Sequence, residues 1–108
     1  MIGLLFKSIR RAKLKIKVRT ILGLVPLVGG LEEQIIETED NLDVMALLNT
    51  LFIKYGDKLK KNLLDNNMNI GQGVSMYCNG VSILTLKGLS TSLKDGDDFL
   101  IFPPVGGG

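Results

Sequence analysis

The sequence has no histidine, no tryptophan and a single cysteine, Cys78. Without histidine, the Ser/His/Asp and Cys/His catalytic arrangements are excluded, and so are the common His/Cys metal-ligand clusters. One cysteine forms no internal disulfide, and a reducing, cytoplasmic setting is the expectation. Aromatic residues make up 6% of the chain. These are too few, and too scattered, to form a platform on which nucleic-acid bases stack. Proline occurs three times, and two of the three, Pro103 and Pro104, are adjacent near the end. The apolar stretch within residues 1–12 is far too short to span a bilayer, and Ile21 to Gly30, though apolar, is broken by Gly23 and Pro26. Self-contained catalysis, a resident metal, nucleic acid and a membrane are therefore all set aside.

At 108 residues, with 45% hydrophobic and 22% charged residues, the chain is one domain with an ordinary globular balance. Its net charge of +2 conceals a segregation. Residues 1 to 19 hold seven bases (Lys7, Arg10, Arg11, Lys13, Lys15, Lys17, Arg19) and no acid, whereas residues 31 to 43 hold six acids (Glu32, Glu33, Glu37, Glu39, Asp40, Asp43) and no base. Two strands lying side by side with opposite charges facing each other account for this better than a nucleic-acid surface does.

Residues 1–12 read as an N-terminal extension. Their short apolar stretch precedes the charges, the reverse of a secretory signal. From Lys13 to Thr20 the alternation is strict and predicts a strand with Leu14, Ile16 and Val18 facing a core. Ile21 to Gly30, punctuated by Gly23, Pro26 and Gly29-Gly30, reads as a long loop. Glu33 to Glu39 reads as a second strand with Ile36 inward. A helix then opens at an N-cap, Asp43 or Asn41, and carries Val44, Leu47, Leu48, Leu51 and Tyr55 on one stripe. Gly56 ends it, and Asp57 to Leu64 gives a second, short helix. After a polar loop, Val74 to Cys78 runs into Asn79-Gly80, a hairpin turn in which both positions tolerate positive φ, and Val81 to Leu86 is the expected returning strand. Lys94 to Asp97 forms another turn, and Asp98 to Phe102 forms the last strand. Strand, strand, helix, then strands gives an α+β fold: a mixed sheet of about four to five strands, with one main helix and one short helix on one face.

Smaller features carry less. Cys78 shares its strand with Val74 and Met76 and reads as a core thiol. Asp95, Asp97 and Asp98 read as a solvated turn, because too few oxygen ligands accompany them for a cation site. Gly71-x-Gly73 has neither the spacing nor the lysine of a phosphate loop.

The end of the chain has a different character. Pro103-Pro104-Val105-Gly106-Gly107-Gly108 follows the last strand, and residues 103–108 read as a flexible tail. The prolines lack backbone donors and hold the chain extended. The three glycines offer a thin strip of backbone with no side chain. From Val105 to Gly108 the reach is about 14 Å, enough to deliver a carboxylate into a partner's narrow channel. A frayed end or an expression remnant is the alternative for such a terminus taken alone.

The run Leu93-Lys-Asp-Gly-Asp-Asp-Phe-Leu-Ile-Phe-Pro-Pro-Val-Gly-Gly-Gly108 resembles the C-terminus of the small subunit of molybdopterin synthase, of the MoaD/ThiS-type ubiquitin-like sulfur carriers. The Asn79-Gly80 turn, the helix opening at Asp43-Val44 and the first strand stand where that family places comparable elements. Its specific part is the last sixteen residues. The resemblance implies a ubiquitin-like β-grasp domain, residues 13–102, that acts as a carrier and not as an enzyme. Gly108 would bear first an adenylate and then a thiocarboxylate, and Phe102, Pro103, Pro104, Val105, Gly106 and Gly107 would lie along the partner. The implied partners are an adenylating enzyme related to those that activate ubiquitin, which uses ATP, and the larger catalytic subunit of the synthase. No cofactor is expected on the chain itself. The sulfur would go to molybdopterin, for a molybdenum or tungsten cofactor. The alternative that the same residues imply is a protein modifier joined through Gly108 to target lysines. A thiamine-pathway carrier fits less well, since those tails generally lack Pro-Pro, and a pure binding module has no use for a diglycine end.

Overall fold

The computed structural model describes residues 13–39 and 42–104. The N-terminal extension, the alternative cap Asn41 and the end of the tail from Val105 to Gly108 lie outside the described residues. Strand β1 (Lys13–Thr20) pairs antiparallel with β2 (Glu33–Glu39). It pairs parallel with β5 (Asp98–Phe102), whose other edge is antiparallel to β3 (Ser75–Cys78). A two-residue β4 (Val81–Ser82) closes the order β2-β1-β5-β3-β4. This is the five-stranded mixed sheet expected of a β-grasp fold.

Strand alternation decides which face is buried. Leu14, Ile16 and Val18 of β1, Met76 and Cys78 of β3, and Phe99 and Ile101 of β5 all point to the same side. Helix α1 (Val44–Tyr55) covers that side with Val44, Leu47, Leu48, Leu51 and Phe52, and helix α2 (Asp57–Leu63) adds Leu59 and Leu63 to the same core. The Asp43 carboxylate caps α1 by accepting from the Ala46 amide at 2.8 Å. Gly56, at φ +95°, ends α1 and begins α2, a conformation closed to most side chains. Tyr55, expected on the apolar stripe, is half-buried and donates its hydroxyl to Gln34 Oε1 at 2.7 Å, tying the end of α1 to β2.

The charge blocks meet as strand alternation requires. Lys13 stands opposite Glu39, Lys15 opposite Glu37 and Arg19 opposite Glu33. The ion pairs that form are offset from these ladder partners. Lys13 reaches Glu37 at 3.5 Å, an exposed pair contributing at most about 1 kcal/mol, and Arg19 turns to β5, where its Nε donates to Asp98 Oδ1 at 2.8 Å.

Two sequence expectations are corrected. The stretch read as a loop after β1 contains a 3₁₀ helix, Leu22–Val28. Leu24 and Val28 are four residues apart and both reach the core, while Pro26 sits exposed, where its missing donor costs little. The returning strand also stops at Ser82 and not at Leu86. The chain turns there into 3₁₀ segments at Ile83–Thr85 and Gly88–Ser90, because Ile83 is drawn fully into the core, which breaks the alternation a strand would need.

Candidate functional site

The Asn79-Gly80 hairpin and the turn at Lys94 to Asp97 lie together at one end of the sheet, and both are built as the sequence predicts. Asn79 and Gly80 have φ of +52° and +81°, as a two-residue hairpin of this type demands. The acidic residues of the second turn are consumed locally. Asp95 accepts from the Lys15 amide at 2.8 Å, Asp97 from the Lys94 amide at 2.7 Å and from Asn79 Nδ2 at 2.9 Å, and Asp98 from Arg19. Among the described residues, no group of three or more His, Cys, Asp and Glu side chains could hold a metal ion. These hydrogen bonds lock the start of β5 against β1 and β3 and thereby fix the direction in which the strand runs.

Cys78 is buried beside this cluster, its Sγ 3.7 Å from Asp97 Oδ2. Burial first, and then the Asp97 carboxylate, push its thiol from the ordinary 9.0 up to about 11. Such a thiol is a poor nucleophile, so we expect native Cys78 to resist alkylation at neutral pH and to react readily in urea. The linkage has a definite sign. The folded state keeps the proton to about pH 11, whereas the unfolded chain releases it near 9.0, so stability falls as pH rises between these values. Urea midpoints measured across that range should fall more steeply for the wild type than for Cys78→Ala.

Among the described residues, no helix covers the other face of the sheet, and β5 crosses its centre. Leu100 and Phe102 point to this open side, with Tyr77 beside Leu100 and Ser75 beside Phe102 on β3 and Arg19 beside Leu100 on β1. Tyr77 and Phe102 meet edge to face, ring centroids 5.5 Å apart and planes at 83°. Leu100, Tyr77 and Phe102 are each only half-buried, and Ile35 of β2 is 57% exposed on the same side. A shallow groove lined by Gly73, Ser75, Tyr77, Phe102 and Pro103 borders this patch where β5 ends.

Of the residues the sequence singles out, Phe102 thus lies in the apolar patch. Pro103 is buried and Pro104 is exposed, packed against Gly73, so the packing of the domain continues two residues past the strand. Val105, Gly106, Gly107 and Gly108 lie outside the described residues. Sequence reading missed Tyr77 and Leu100. Alternation along β5 pairs Leu100 with Phe102, but the register that brings Tyr77 to them is set by the fold.

Among the described residues, no helix is long and apolar enough to cross a membrane. The profile of the ThiS family matches residues 16–108. Small archaeal modifier protein 3 of Haloferax volcanii is 34% identical over 70 residues, which is 65% of this chain and 74% of that protein. The solution structure of small archaeal modifier protein 1 from Methanosarcina acetivorans superposes with a TM-score of 0.74 at 29% identity, covering 90% of this chain and 99% of that one. A Pyrococcus furiosus protein assigned as molybdopterin converting factor, subunit 1, does so with a TM-score of 0.67 at 26% identity, covering 85% and 99%. The match spans nearly the whole β-grasp domain and the segment beyond β5, and on it the chain belongs to the ThiS family of small ubiquitin-like carrier and modifier proteins.

Proposed function

We propose that this chain is a sulfur carrier for molybdopterin synthesis. The observation that carries the reading is continuity. The strand that builds the centre of the open apolar face, through Leu100 and Phe102, is the strand that leads into the Pro-Pro and glycine run. A partner that docks on the face is thereby placed where the tail arrives. Body recognition and tail insertion become one binding event, and the ordering cost of the second falls on a chain already tethered.

The chemistry assigned to Gly108 follows from the carboxylate itself. A carboxylate is a poor electrophile until a good leaving group replaces one oxygen. A Gly108 carboxylate oxygen attacks the α-phosphate of ATP, bound by the adenylating enzyme and not by this chain, and pyrophosphate leaves; a sulfide-level donor then displaces AMP to leave a thiocarboxylate. Gly106 and Gly107 present no side chain to either active site. The catalytic groups belong to the adenylating enzyme and to the larger synthase subunit, in keeping with a chain that has no histidine. The Pyrococcus neighbour supports the molybdopterin destination.

Similarity to the archaeal modifier proteins favours a second reading, in which the activated Gly108 forms an isopeptide with a target lysine. One experiment addresses both. Intact mass is measured after incubation with a cognate adenylating enzyme, ATP and a sulfur donor, for the full chain and for one lacking Gly107 and Gly108. The carrier reading expects the mass change of one oxygen replaced by sulfur, in the full chain alone. Lysine adducts bearing a glycine remnant, without any thiocarboxylate, would favour the modifier. No change, under conditions where the enzyme activates a known substrate, would sink both readings.

A further inference from the structure

Gly73 sits in the loop before β3 with φ +82°, a conformation L side chains rarely adopt, and it faces Pro104. A Cβ placed on Gly73 would lie 3.1 Å from Pro104 Cβ, 3.4 Å from its Cα and 3.8 Å from its Cγ. The proline ring therefore occupies the space that any side chain at position 73 would fill. The loop beneath is firmly held. The Gly71 amide donates to Leu63 O at the end of α2 at 2.8 Å, the Val74 amide donates to Gly71 O at 3.1 Å, Leu64 and Ile70 form an isolated bridge, and Val74 is buried. On the other side, Pro103 is buried at the groove that also touches Tyr77 and Phe102.

We propose that Gly73 is a positioning residue for the tail: it forms a rigid seat for Pro104, so that Pro104 is held at a fixed point on the domain four residues before Gly108. This inference rests on the carrier reading above. The seat matters because a partner that meets Pro104 already placed has one residue fewer to order than a partner that must place it. A methyl group at position 73 meets Pro104 Cβ at 3.1 Å, so the exposed Pro104 must give way by a few tenths of an ångström and loses its fixed position. Gly73 touches neither ATP nor the reacting carboxylate, so its effect falls on binding.

The test is a double-mutant cycle of Gly73→Ala and Pro104→Gly, read by pyrophosphate exchange with a cognate adenylating enzyme and by nuclear Overhauser contacts between residues 73 and 104. In the wild type the contact is expected. Gly73→Ala should alter it and raise KM roughly five-fold with kcat within about two-fold, the factor that corresponds to re-ordering about one residue's backbone. Pro104→Gly should raise KM at least as much, because it also alters a residue expected along the partner. The double variant should be no worse than Pro104→Gly alone, because the seat is then already lost. Backbone strain from alanine at positive φ would instead lower the melting temperature equally in both backgrounds, and melting curves separate that effect from the change in KM. Additive KM effects, or a wild-type KM in Gly73→Ala despite the altered contact, would overturn the seat alone. A wild-type chain that supports no exchange would overturn the carrier reading and the seat's function with it, while the 73–104 contact would still report whether the packing exists.

Discussion

Replacing Phe99 with alanine should cost about 3–5 kcal/mol of stability, a large part of the roughly 5–15 kcal/mol that holds a domain together. Phe99 is fully buried at the middle of the sheet, with Val18 beside it on β1 and Cys78 beside it on β3. Across the core stand the leucines of α1. Truncation removes the largest apolar side chain at the junction of the parallel and antiparallel halves, where strands on both sides limit collapse into the cavity. Guanidinium unfolding followed by far-ultraviolet circular dichroism measures the loss, since the chain has no tryptophan to report it. A loss under about 1 kcal/mol would mean that the helix layer closes over the gap and that the sheet centre is not the rigid element described here.

That centre was legible before any coordinates, for a physical reason. Where one strand face is buried and the other solvated, the pattern is written with period two, as in Lys13 to Thr20, while Asp98 to Phe102 is marked instead by its run of aromatic and branched residues. The Asp43 cap, the Gly56 stop and the Asn79-Gly80 turn were equally readable, because each depends on the local chemistry of one or two residues. What failed depended on distant partners. Gly23 and Pro26 read as breakers, yet Leu24 and Val28 find the core and a 3₁₀ helix forms around them. Val81 to Leu86 looks like a strand until Ile83 is pulled inward. At the candidate site, Phe102 and the prolines stood out by composition. Tyr77 did not, because nothing local fixes the register of β3 on β5. Gly73 lacks a phosphate-loop pattern and so stands out in no local motif, and its positive φ and the proline above it are visible only in three dimensions.

Tyr77→Ala and Phe102→Ala, made together, should separate folding from function. The two rings touch each other edge to face and otherwise look outward, so the pair contributes about 0.5–1.5 kcal/mol beyond its half-buried area. The domain should therefore remain folded, with a melting point lowered by roughly ten to twenty degrees. Binding should respond far more. Aromatic side chains at the centre of an interface commonly carry about 2 kcal/mol or more each, so the double variant should bind a cognate adenylating enzyme or synthase subunit at least about 100-fold more weakly in titration calorimetry. Ile35→Ala, at the far side of the same face, should cost under about ten-fold, as a rim position does. Equal losses at Ile35 and at the aromatic pair would shift the docking centre towards β2. Unchanged binding in the aromatic double variant would leave recognition to the tail alone and remove the coupling of face and tail on which the carrier reading is built.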